Sequence, residues 1–125
     1  MRSSQVMSQH HLCQSGVVEE RATSFSFRVI KDGRIWPAFI VRFDGKAVGY
    51  LNVCAHAALQ LEGRQSRLFS RDRQSLVCAS HGAVYKPDTG LCISGPCKGL
   101  SLIPLNITER DDGLYFSDQE YEYYD

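Results

Sequence analysis

The chain has 125 residues, 43% of them hydrophobic, with 14 Lys and Arg balanced by 14 Asp and Glu. A chain of this length forms one domain that buries about two-thirds of its unfolded surface, so its core needs no staples. A formal net charge of zero excludes the broad basic field that nucleic acid or an anionic membrane calls for, and leaves any docking charge to local patches.

Residues 1–15 are polar and lack the apolar run of a signal peptide or membrane anchor. They read as a flexible tail, and Cys13, close behind His10 and His11, reads as part of that tail rather than as a metal ligand. From Thr23 to Ile30, Phe25, Phe27 and Val29 alternate with smaller or polar residues, the period of a half-buried strand. A turn at Lys31-Asp32-Gly33-Arg34 follows. Pro37 to Phe43 sets Phe39, Val41 and Phe43 on one face, and Asp44-Gly45 is a two-residue hairpin signal leading into a strand from Lys46 to Val53. Shorter strands are predicted at Ser75 to Ala79, Ala83 to Lys86 and Leu100 to Ile103. A last hairpin, Leu105 to Arg110 and Leu114 to Ser117, turns at Asp111-Asp112-Gly113. No stretch has helical periodicity. Residues 119–125 read as an acidic, tyrosine-rich tail, and Trp36 and the terminal tyrosines as packing or tail residues. The fold class is all-β, a small antiparallel β-sandwich or incomplete barrel over residues 16–118. A subdomain at about residues 52–97 is inserted between strands of its base.

Two segments of that insertion carry the chemistry. Cys54-Ala55-His56 and Cys78-Ala79-Ser80-His81 each bring one cysteine and one histidine together beside a predicted strand. Zinc sites more often pair Cys with Cys and His with His. Mixed loops suit two irons: if each loop gives its Cys to one iron and its His to the other, two thiolates and two imidazoles grip a [2Fe–2S] unit.

The sequence C-x-H, then C-x-x-H-G-x-x-Y at Cys78 to Tyr85, then Asp88-Thr89-Gly90 and a Gly95-Pro96 turn, resembles the Rieske iron–sulfur proteins. The resemblance implies one [2Fe–2S] cluster per chain, with Cys54 and Cys78 on one iron and His56 and His81 on the other. It implies a potential of roughly −150 to +300 mV, against about −400 mV for plant-type ferredoxins, because two neutral imidazoles replace two thiolates. High-potential relatives carry a disulfide across the cluster at the places that Leu59 and Ser80 hold here. The chain therefore resembles the ferredoxin-like branch without that bridge. Around the cluster the resemblance points to Tyr85 as a donor to the first cysteine's sulfur. Ala83 stands where high-potential relatives have a serine donor, and Ser80, Gly95 and Pro96 line the loops.

The function implied is a one-electron carrier rather than an enzyme. It would be a ferredoxin passing electrons from a reductase to a terminal oxygenase or to a reductase such as nitrite reductase. The alternatives are a redox-sensing or regulatory iron–sulfur component and a structural zinc module using the same four residues. Partners are thus redox proteins, not nucleic acid or membrane, and the chain reads as a monomer or weak oligomer. Five cysteines less two ligands leave Cys13, Cys92 and Cys97, an odd number that favours a reducing, cytoplasmic location. Cys92 and Cys97 read as small apolar residues packed in a turn, or else as a local redox-sensitive pair. Between the ligand segments, Arg64, Arg67, Arg71 and Arg73 against Glu62 and Asp72 read as a solvated loop, or as a basic ridge beside the cluster that steers an acidic partner.

Overall fold

The protein is described by a computed structural model over residues 9–53, 68–77, 82–95 and 98–124. Its strands are β1 (His10–Cys13), β2 (Phe25–Lys31), β3 (Arg34–Phe43), β4 (Lys46–Leu51), β5 (Leu76–Val77), β6 (Val84–Tyr85), β7 (Cys92–Ser94), β8 (Pro104–Leu105), β9 (Ile107–Arg110), β10 (Gly113–Phe116) and β11 (Glu122–Tyr124). They make three open antiparallel sheets, ordered β11-β2-β3-β4-β8, β1-β10-β9 and β5-β6-β7. The all-β class and the inserted small sheet agree with the sequence reading.

The meander β2-β3-β4 follows from its turns. At Asp32-Gly33 and Asp44-Gly45 both central residues have positive φ, 52° and 77° then 54° and 79°, the primed geometry that matches strand twist. Glu20 fastens the second turn by accepting the Asp44 and Gly45 amides at 2.7 and 2.8 Å. In β3, Ala38, Phe39, Ile40 and Val41 are all buried, so this strand is covered on both faces. Alternate residues point opposite ways. Ala38 and Ile40 join Phe27, Val29, Leu51, Leu114 and Phe116 under the β1-β10-β9 sheet. Phe39 and Val41, with Tyr50, join Leu76, Tyr85, Cys92 and Leu102 on the side of β5-β6-β7. Each large apolar side chain buried this way stabilises the fold by about 1.5 to 3 kcal/mol.

Within the spans expected as tails, two short strands are described. Residues His10–Cys13 pair with β10, and Cys13 is buried in the core. Glu122–Tyr124 pair with β2, and the ring of His10 stacks on Tyr123 at 3.8 Å. Four- and three-residue strands are too short to display alternation, and they form because each satisfies a sheet edge that would otherwise present unpaired amides. Asp118 accepts the amides of Asn106, Glu120 and Tyr121 at 2.9 to 3.0 Å. The strand expected at Leu100 to Ile103 is corrected. Ser101 makes one bridge to Leu91, Leu102 donates to Gly90, and Ile103 already accepts from Leu51. The segment changes partners within a few residues, and its ladder, β8, starts at Pro104.

Candidate metal centre

All four proposed ligands, Cys54, His56, Cys78 and His81, lie outside the described residues, as do Ser80, Pro96 and Cys97. The chain on either side of them is described, and it converges. Val77, just before Cys78, donates its amide to Leu68, which follows the first ligand segment, at 2.8 Å. Val77 pairs with Val84 and Val84 with Ser94. A Cβ on Gly95, φ +99°, would fall 2.8 Å from Cα of Ala83 and 3.2 Å from the Gly82 oxygen, so only glycine lets these segments touch. The ends flanking residues 54–67, 78–81 and 96–97 on these sides thus meet at one end of the β5-β6-β7 sheet. The fourth approach is β4, whose Leu51 leads through Asn52 and Val53 to Cys54. Two thiolates and two imidazoles are the donor types of a [2Fe–2S] cluster of this kind. Among the described residues no group of three or more His, Cys, Asp or Glu is placed to hold a metal.

Of the residues expected around the cluster, Tyr85 and Ala83 are fully buried and Gly95 stands against Ala83. Cys92 is buried within β7, its Sγ 3.2 Å from the Ser94 oxygen. That is packing in a strand, where the sequence suggested a turn. Arg71 and Arg73 occupy the turn of the hairpin closed by Ser70 and Ser75, and Cys78 continues from the opposite end of that hairpin. The turn that carries Arg71 and Arg73 is thus at the end of the hairpin away from Val77; Arg64, Arg67 and Glu62 lie outside the described residues.

The sequence reading missed two residues on the approach to Cys54. Asn52 is a buried polar residue whose amide donates to Pro37 at 2.8 Å, which fixes the path of the chain into the first ligand segment. Tyr50, on the same strand, donates its hydroxyl to the Pro87 oxygen at 2.8 Å. Burial, with a smaller contribution from Asp88, pushes its pKa up to about 12, so the donor stays protonated. Gly90, φ +79°, packs on this ring, where a Cβ would meet Cε1 at 2.8 Å. Tyr50 thus braces the strand that delivers Cys54 against the turn that follows His81. A tyrosine on a buried strand needs a partner for its hydroxyl, and that was the available signal, read together with the Asp88-Thr89-Gly90 turn.

The sequence matches the Rieske [2Fe-2S] domain over residues 8–104. The chain belongs to this family, and with it comes one [2Fe–2S] cluster. Among solved structures it is similar to the terminal oxygenase of carbazole 1,9a-dioxygenase from Novosphingobium sp. KA1, at 17% identity and a TM-score of 0.73, over 95% of this chain and 32% of that one. It is also similar to the ferredoxin of carbazole 1,9a-dioxygenase from Nocardioides aromaticivorans IC177, at 17% identity and a TM-score of 0.66, over 90% of this chain and 99% of that one. A complex of reduced oxygenase and oxidized ferredoxin in carbazole 1,9a-dioxygenase matches at 18% identity and a TM-score of 0.68, over 91% of this chain and 96% of the matched one. The Rieske fold is thereby shared, and this chain spans about a third of the length of the oxygenase. No curated protein matches the sequence. Among the described residues, no helix is long and apolar enough to cross a membrane.

Proposed function

We propose that the chain is a one-electron carrier of the ferredoxin kind. In this reading Cys54 and Cys78 hold one iron, and His56 and His81 hold the other and face the partner. When bound, the cluster supplies a reversible one-electron site. The chain's own residues fix the geometry around it. Tyr50 and Gly90 brace the strand that leads to Cys54 against the turn that follows His81, and Gly95 makes a close contact with Ala83. The observation that carries the reading is the convergence at one end of β5-β6-β7 of the chain flanking the Cys78–His81 segment, the far end of residues 54–67 and the near end of residues 96–97. Its donor is a reductase and its acceptor a terminal oxygenase or reductase. The named ferredoxin and oxygenase complex gives a precedent for that pairing, and the odd cysteine count supports a cytoplasmic setting.

A second reading has its own support, since the same fold makes up about a third of the terminal oxygenase. There the domain would receive electrons on behalf of a catalytic centre in the same polypeptide. A stepwise reductive titration followed by visible absorption separates these from a zinc module. A cluster carrier takes up about one electron per chain, and reoxidation by an oxidant restores the starting spectrum. A protein that takes up none is not a carrier of either kind.

A further inference from the structure

Away from the ligand segments, a cleft of about 380 Å³ separates the loop at Arg21–Thr23 from the hairpin turn at Ser70–Arg73, with Phe69 in its lining. Three arginines line it: Arg21, Arg71 and Arg73. Arg21 is neutralised by Glu20 and Asp44. The nearby Asp72 carboxylate is occupied by the Ser70 hydroxyl at 2.6 Å and the Gln74 amide at 3.1 Å. Arg71 and Arg73 are exposed and have no ion pair among the described residues.

Backbone conformation singles out the same place. Arg21, Asp32, Asp44 and Arg73 are the described non-glycine residues with positive φ. The two aspartates sit in primed hairpin turns, which tolerate them. The two arginines, at φ 51° and 60°, have no such excuse of residue type, and both line this cleft. Side chains kept in left-handed conformations at a free-energy cost gather at sites that clamp a ligand.

We propose that this cleft binds an acidic segment of a redox partner through two or more carboxylates spaced along the segment. Naming the partner as a redox protein rests on the carrier reading above; the binding chemistry does not. The cleft is larger than one oxyanion requires, and Arg71 and Arg73, with no ion pair among the described residues, supply two cations on separate residues, which fits a run of carboxylates better than a single phosphate. The turn lies three residues of strand, about 10 Å of chain, before residues 78–81, so a segment held here binds at the end of the Ser70–Ser75 hairpin away from Val77. It adds affinity and steering without entering the electron path.

The test is calorimetric titration of the iron-loaded chain with a hexaglutamate peptide at low salt, with hexalysine and inorganic phosphate as separate arms. Hexaglutamate should bind, more weakly as salt rises, and hexalysine should not. Arg71→Ala with Arg73→Ala should weaken hexaglutamate binding about tenfold with the visible spectrum unchanged. Arg73→Gly separates charge from strain: it should weaken binding and raise the melting temperature, because glycine accepts positive φ at little cost. Unchanged affinity in the double variant overturns the proposal. Phosphate binding as tightly as hexaglutamate also overturns it, in favour of a small-anion site. A chain that binds the peptide but holds no cluster fails the carrier reading alone, and one that keeps its cluster but binds no peptide fails the cleft alone.

Discussion

The two faces of the five-stranded sheet are built on different principles. The face toward β1 and β10 is closed by a sheet of three four-residue strands, Phe27 packing edge-on against Phe116. The face toward β5-β6-β7 is closed by strands two or three residues long, held by the Tyr50 hydroxyl and by glycines in conformations other residues resist. Strand pairing is redundant, and a lost contact is shared among many. The second face depends on a few single contacts, and it is the one that carries the ligand segments.

That contrast is sharpest at glycine. Gly33 and Gly90 have nearly the same φ, +77° and +79°, but a Cβ on Gly33 meets nothing within 4 Å, whereas on Gly90 it strikes the Tyr50 ring at 2.8 Å. Gly33→Ala should cost about 1 kcal/mol, the price of conformation alone. Gly90→Ala should cost about 2 to 4 kcal/mol, conformation plus overpacking. Denaturant unfolding measures both, and equal losses would mean that the small sheet yields as easily as a surface turn.

Tyr50→Phe comes next in size. It removes the hydrogen bond to Pro87 and should cost about 1 kcal/mol at neutral pH. The folded pKa of Tyr50 is raised above its ordinary value of 10.0 to about 12. The stability this represents is therefore complete below pH 10 and is lost as pH rises toward 12, because the unfolded tyrosine gives up its proton first. Melting curves across that window should fall more steeply for the parent than for Tyr50→Phe. Parallel curves would mean that the hydroxyl is not protected by the fold.

A smaller effect is expected at Tyr85, fully buried in β6, the strand that follows residues 78–81. If its hydroxyl donates to the sulfur of Cys54, Tyr85→Phe should lower the midpoint potential by roughly 20 to 65 mV, the one-electron equivalent of about 0.5 to 1.5 kcal/mol. A potential fixed within a few millivolts, with the spectrum retained, would make Tyr85 a packing residue.

How much of this was legible in the sequence follows the same division. The meander of β2, β3 and β4 was readable because Phe25, Phe27 and Val29 alternate and two Asp-Gly turns announce the reversals. The burial of Ala38 and Ile40 opposite Phe39 and Val41 was not, since a strand covered on both faces loses the alternation that a pattern reading looks for. The terminal strands were missed because His10–Cys13 and Glu122–Tyr124 are ordered by partners distant in sequence, not by their own composition. At the candidate site the sequence displays the ligand types and their spacing, on residues outside the described ones, and Gly95 is found in close contact with Ala83. The Tyr50 brace was hidden, because the Pro87 oxygen that satisfies its hydroxyl is a backbone atom that no residue type reports.

The account stands or falls on what the ligand segments hold. Protein purified without oxygen should contain about two irons and about two acid-labile sulfides per chain. Cys54→Ala or His81→Ala should abolish both while the far-ultraviolet signature of the β sheets remains. One zinc per chain with no labile sulfide would contradict the account.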